Sequence, residues 1–163
     1  MIYSDSLTIT TEIKTMSTRC NINIKIYSSN IWLYRHHDGY LSETGYNLAC
    51  NLIHSKNAHN FLENILNEKH EANELRPAEN IYELTSSQHG DIEYLYTFDF
   101  SNNHNWVDVY VEKLEYTDSS IRKPKIILEA RCLSMDNKDP EAMLNAFKLI
   151  FDDRRKKLFS TAA

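Results

Sequence analysis

Residues 20–26 place the strongest constraint on the fold. Cys20, Ile22, Ile24 and Ile26 alternate with Asn21, Asn23, Lys25 and Tyr27, and a period of two puts an apolar row and a polar row on opposite faces of a strand. Such a strand belongs in a sheet with one covered face, so the rest of the chain has to supply both its strand neighbours and its cover.

The neighbours are legible. After Ser28-Ser29-Asn30, the run Ile31 to His36 forms a second strand; a two-residue loop pairs Ile26 with Ile31 and Ile24 with Leu33, which puts Trp32, Tyr34 and His36 together on the other face. The turn lacks an Asn-Gly or Asp-Gly pair, and a longer loop would reverse the faces. Ile92, Tyr94, Tyr96 and Phe98 alternate with Glu93, Leu95, Thr97 and Asp99, and Trp106 to Leu114 follows as the second arm of a hairpin. Ile126 to Arg131, entered through Lys123-Pro124, is a fifth strand.

The cover comes from segments with a period near 3.6. Gly45, Leu48, Ala49, Leu52 and Ile53 make one stripe, which predicts a helix over 43–54 with Ser42 as its N-cap. Phe61, Leu62, Ile65 and Leu66 predict a second over 58–69. Asp139-Pro140-Glu141 combines a cap, a first-turn proline and an acid at the positive end of the helix dipole. It opens a third helix to about Lys157, with Met143, Ala146, Phe147 and Ile150 inward. Residues 71–88 read as a long connection holding one short strand at most, around Ile81, Tyr82 and Leu84. The expected class is α+β: a mainly antiparallel sheet of about five strands with two or three helices on one face.

A length of 163 residues suits one domain. Residues 1–15 read as an N-terminal extension or an edge strand, and 16–163 as the domain, with Met16 as a plausible natural start. No apolar run approaches the roughly 20 residues of a membrane helix, and no leader pattern opens the chain, so the expected compartment is cytoplasmic. Cys20, Cys50 and Cys132 form no Cys-x-x-Cys pair and are expected to be buried, reduced thiols. A net charge of −5 disfavours a broad nucleic-acid face. Between Asp91 and Asp118, seven acids stand against one base, Lys113. They are either solvated strand faces or an acidic surface, with Asp99, Asp108, Glu112 and Glu115 as its candidates, for a basic partner such as a nucleic-acid-binding effector.

The densest polar stretch is Tyr34-Arg35-His36-His37-Asp38-Gly39-Tyr40, at a strand end before a helix. Gly39 is expected to permit the turn, Arg35 to grip a carboxylate or phosphate, and the helix start to favour anions. His89, Asp91 and Glu93 open another strand in a similar way. Should the two ends meet, Arg35, His36, His37, Asp38, Tyr40, His89, Asp91 and Glu93 form one ligand-binding corner. Four readings stand. One is an ion-pair network of Arg35, Asp38 and Glu93. Another is a metal site, although the spacing fits no zinc signature. A third is catalysis with His37 as base, although no nucleophile elbow, Walker loop or dinucleotide glycine pattern occurs. The fourth is binding of a partner or of a nucleotide-like anion. No cofactor is predicted. His54, His59, His70 and His104 read as surface residues.

Two short motifs carry a resemblance. Arg35, His36, Asp38, Gly39 and Tyr40, following a start like Met16-Ser17-Thr18-Arg19, and then Gly90, Asp91, Ile92, Glu93, Tyr94 and Tyr96, resemble small uncharacterised proteins of phages and prophages. The resemblance implies an accessory protein in the bacterial host's cytoplasm. It would act without catalysis by binding and inhibiting a defence component such as a CRISPR effector, and it supplies no catalytic residue. The oligomeric state, a homodimer included, stays open at this point.

Overall fold

The structure is a computed structural model that describes residues 18–72, 74–75, 77–101, 105–116, 122–136, 141 and 145–148. The expected extension over 1–15, the start at Met16, His104, Asp118 and most of the third helix lie outside these residues.

Six strands form one sheet in the order β3-β2-β1-β4-β5-β6, where β1 is Cys20–Ile26, β2 Ser29–Arg35, β3 Glu83–Thr85, β4 Tyr94–Asp99, β5 Trp106–Tyr116 and β6 Arg122–Ser134. The class is α+β as expected, but the sheet has one strand more than the five predicted. The addition is β3, the short strand of the 71–88 connection. The sheet is also mixed: four strand pairs are antiparallel, whereas the central pair, β1 with β4, is parallel. Proline is tolerated in β6 because that strand is an edge, where a missing N–H leaves no neighbour unpaired.

The β1–β2 register departs from the expected one by two residues. Ile26 pairs with Ser29, Ile24 with Ile31 and Ile22 with Leu33. The loop has two residues, as expected, but they are Tyr27-Ser28, made possible by Tyr27 at a left-handed φ of 54°. An even shift leaves the faces unchanged, so the expected division into an apolar and a polar face holds.

Helices α1 (Tyr46–His54) and α2 (Ala58–Leu66) cover the apolar face. Asn57 caps α2 by accepting from the Asn60 N–H at 2.9 Å, and Asn60 returns the bond by accepting from the Lys56 N–H at 2.9 Å. The predicted cap of the first helix is wrong. Residues Leu41–Gly45 wind as a π-helical turn with Tyr40 in the cap position, Ser42 is buried inside it, and the α-helix proper starts only at Tyr46. The second helix stops at Leu66 rather than 69, because Lys69 leaves to bridge Asn80.

Ile22, Ile24, Leu33, Phe98 and Val109 from the sheet meet Leu48, Leu52, Phe61 and Ile65 from the helices in one core. The Phe61 and Phe98 rings lie 4.8 Å apart. Each such side chain, fully buried, contributes roughly 1.5–3 kcal/mol of transfer free energy. Phe147 joins the same core beside Ala146, and Asn145 and Ala146 are helical, as the predicted third helix requires at those positions. No described helix is long and apolar enough to cross a membrane.

Candidate functional site

Alternation along β2 divides the predicted corner between the two faces of the sheet. Leu33 and Arg35 point to the helices, whereas Tyr34 points to the polar face, so the eight candidates do not form one constellation.

On the helix side Arg35 is only 8% exposed. Its Nη1 donates to Thr44 Oγ1 at 2.9 Å, and that hydroxyl donates in turn to the Asp38 carbonyl at 2.7 Å. The guanidinium also lies 5.7 Å from the centre of the Tyr82 ring. Its ion pair with Asp38 is loose at 3.9 Å, and its buried Nε–H has no acceptor. The π-helical turn is thus the local device that brings Thr44 to Arg35. Beneath them, burial pushes the Cys20 thiol up to about 12, against the opposing pull of the Arg35 charge. The ion-pair network holds only in part: Arg35 and Asp38 pair, whereas Glu93 makes no ion pair with either among the described residues.

Gly39 has a role other than the expected one. Its φ is not positive; the residue in left-handed conformation is Asp38, at 58°. What excludes a side chain at Gly39 is proximity. A Cβ there would lie 2.8 Å from Arg19 C and 2.9 Å from Cys20 N, because the Gly39 N–H donates to the Thr18 carbonyl at 3.2 Å. The Gly39 carbonyl accepts from the buried Tyr96 hydroxyl at 2.8 Å. Tyr40 accepts the Glu43 and Thr44 N–H groups at its carbonyl and so starts the turn.

On the polar face the two strand ends do meet. The Tyr34 ring stacks on His89 with centroids 4.0 Å apart, and meets His36 edge-on at 4.5 Å. Its hydroxyl donates to Asp91 Oδ2 at 3.1 Å, the oxygen that also accepts from Arg19 Nη1 at 3.1 Å. Burial, with the Asp91 carboxylate second, pushes the Tyr34 phenol up to about 12. Asn21 is completely buried and spends both ends of its amide here: Nδ2 donates to the Leu33 carbonyl at 2.8 Å and Oδ1 accepts the His89 N–H at 2.7 Å.

His89 lies 3.0 Å from Thr85 Oγ1 through Nε2 and 4.0 Å from Asp91 through Nδ1. A hydroxyl, an imidazole and a carboxylate in line suggest a nucleophile relay. The second distance is too long for a hydrogen bond, however, and Asp91 is already committed to Tyr34 and Arg19. Among the described residues, no group of three His, Cys, Asp or Glu side chains could hold a metal ion.

Beside the buried guanidinium opens a cleft of about 160 Å³, lined by Arg35, His36, His37, His70, Glu79 and Glu83, with Asn80 and Ile81 closing it. His36 and His37 are exposed at its mouth, and His36 Nε2 stands 3.4 Å from Glu83 Oε2. His54, His59 and His70 are exposed as expected. Of these three, His70 lines the cleft.

The acidic candidates are partly assembled. Asp99 faces Asp108 directly across β4 and β5, and Glu112 follows Asp108 by four positions, hence on the same, polar face. Glu115 falls on the opposite face, so it does not belong to this group. Asp99 is also structural, since it accepts the Ser101 N–H at 2.9 Å and the Ser101 hydroxyl.

Arg19, Thr44, Glu79 and Glu83 were not among the predicted site residues. Arg19, Glu79 and Glu83 carry no local signal beyond polarity in a loop or at a strand end, and Thr44 lies within the unpredicted π-helical turn. No protein-family model, curated protein or solved structure matches the chain.

Proposed function

We propose that the chain works by binding, as a non-enzymatic phage or prophage accessory protein that engages a basic host defence component through the polar face of β4 and β5. The observation that carries this reading is the pairing of Asp99 with Asp108 and the placing of Glu112 on the same face. Like charges directly opposite one another weaken a strand pair by a few tenths of a kcal/mol, and a cationic partner would reverse the sign of that term. The described helices pack on the other face.

Lys25, beside Asp99 on β1, and Arg131, whose charge acts on Asp108 from β6, moderate the local charge. The two phage-like motifs support the same reading and explain the site no further: they build the scaffold corner rather than the acidic face. The test is affinity purification of the full chain from a bacterial host, with a defence assay in parallel. The expected result is a specific basic partner, lost when Asp108 and Glu112 are both changed to Lys and kept when Glu115 is. Recovery of no partner, with no effect on defence, would refute it.

A further inference from the structure

We infer that the cleft beside Arg35 is a binding site for a small zwitterion, its carboxylate received by Arg35 and its ammonium by Glu79. This site is separate from the acidic face of β4 and β5 and shares no residue with it.

The starting point is the incomplete pairing of Arg35. An arginine side chain that is nine-tenths buried usually has its donors taken up, because an ion removed from water without partners is costly. Here one bond of ordinary length goes to Thr44, the contact with Asp38 is loose, and Nε–H has no acceptor. The acceptor that suits the remaining open donor is a carboxylate oxygen, which adds charge to the hydrogen bond. The same side chain lines an open cleft, and Nη2, held only by the loose Asp38 contact, is the donor that a group arriving from outside meets, whereas Nε is enclosed.

The remaining wall decides which anion. Glu79 and Glu83 flank the space, and among the described residues only Glu83 has an ion-pair partner, in His36. Two carboxylates repel a dianion such as phosphate, but one of them left without a cation favours an ammonium. A molecule that carries both charges satisfies the arginine and the free glutamate together. The volume of about 160 Å³ is of the size that takes a benzene-sized guest, in which cavities of roughly 150 Å³ suffice. The wall bearing Glu79 is held in place, since His70 N–H donates to the Glu79 carbonyl at 2.9 Å and Ile81 N–H to the Glu68 carbonyl at 2.9 Å.

The probes are free α-amino acids, the same compounds with the carboxyl amidated, the same with the amine acetylated, and inorganic phosphate, measured on the full chain by ligand-observed NMR and calorimetry. At least one free amino acid is expected to bind, with a loss of about tenfold or more on either amidation or acetylation. Glu79→Gln, at an exposed position that leaves the fold intact, removes the preference for the free amine while keeping binding of the acetylated form. Arg35→Lys, which retains the charge but not the Nη2 donor, weakens every carboxylate. Binding of phosphate or of the acetylated compound as tightly as the zwitterion overturns the proposal. So do a panel without any binder and a Glu79→Gln protein with unchanged selectivity.

Discussion

Gly39 and Gly90 look alike in the sequence: each sits between polar residues at the entry to a regular element. The fold separates them. Backbone atoms of Arg19 and Cys20 occupy the space of a side chain at Gly39, whereas nothing lies within 4 Å of one at Gly90. Gly39→Ala is therefore expected to lower stability by about 1–3 kcal/mol through overpacking against backbone, and Gly90→Ala to change it by less than about 0.5 kcal/mol. Denaturant midpoints of the two variants check the pair. A parallel contrast separates the described cysteines. Cys20 is fully buried with its thiol pushed up to about 12, and Cys50 is half-buried, contrary to the expectation that both are enclosed. Alkylation of the native protein, followed by peptide mapping, should modify Cys50 and spare Cys20. Chemistry of this kind depends on what lies opposite in space, which a residue's neighbours in sequence do not disclose.

Elements with a strong period were legible, and those shaped by one distant contact were not. The alternation in β1, β4 and β5 and the stripes of α1 and α2 follow from burial on one side, so they declared themselves. The π-helical turn did not, because it carries Thr44 to Arg35; nor did the position of the two-residue loop at Tyr27-Ser28, whose left-handed residue is a tyrosine. The strand β3 was legible only as a short strand somewhere around Ile81, Tyr82 and Leu84. It is three residues long, exposes Leu84, and pairs only with β2. Tyr82, just before it, is buried and donates its hydroxyl to Asn47 Oδ1 in α1 at 2.6 Å. Tyr82→Phe should cost about 1 kcal/mol, and hydrogen exchange should show the loss concentrated at 83–85 rather than spread through the sheet. The candidate site was half legible for the same reason. The strand ends at His36 and His89 do meet through Tyr34, but strand alternation sends Arg35 to the far side, beside Glu79 and His70, which no local pattern linked to it.

Across the whole molecule, burial of acidic protons makes stability depend on alkaline pH. Burial raises Cys20 from 9.0 and Tyr34 from 10.0 to about 12, and raises Tyr82 and Tyr96 as well. The folded chain thus keeps protons that the unfolded chain releases, so these contributions are complete below pH 9 and are lost as pH rises toward 12. Urea midpoints should fall from pH 9 upward. Cys20→Ala should move the onset to about pH 10, where the tyrosines begin to act. The sheet order has a consequence of another kind. β1 lies at the centre, and its partner on one side, β4, begins at Tyr94. During synthesis the β1–β2 hairpin leaves the ribosome well before that residue does. In the interval a strand that is almost wholly buried in the finished fold has an unsatisfied edge and only its helices for shelter, the kind of segment that chaperones hold and that aggregates otherwise. Nascent chains stalled before Tyr94 should therefore be chaperone clients, and those extended past β5 should be released.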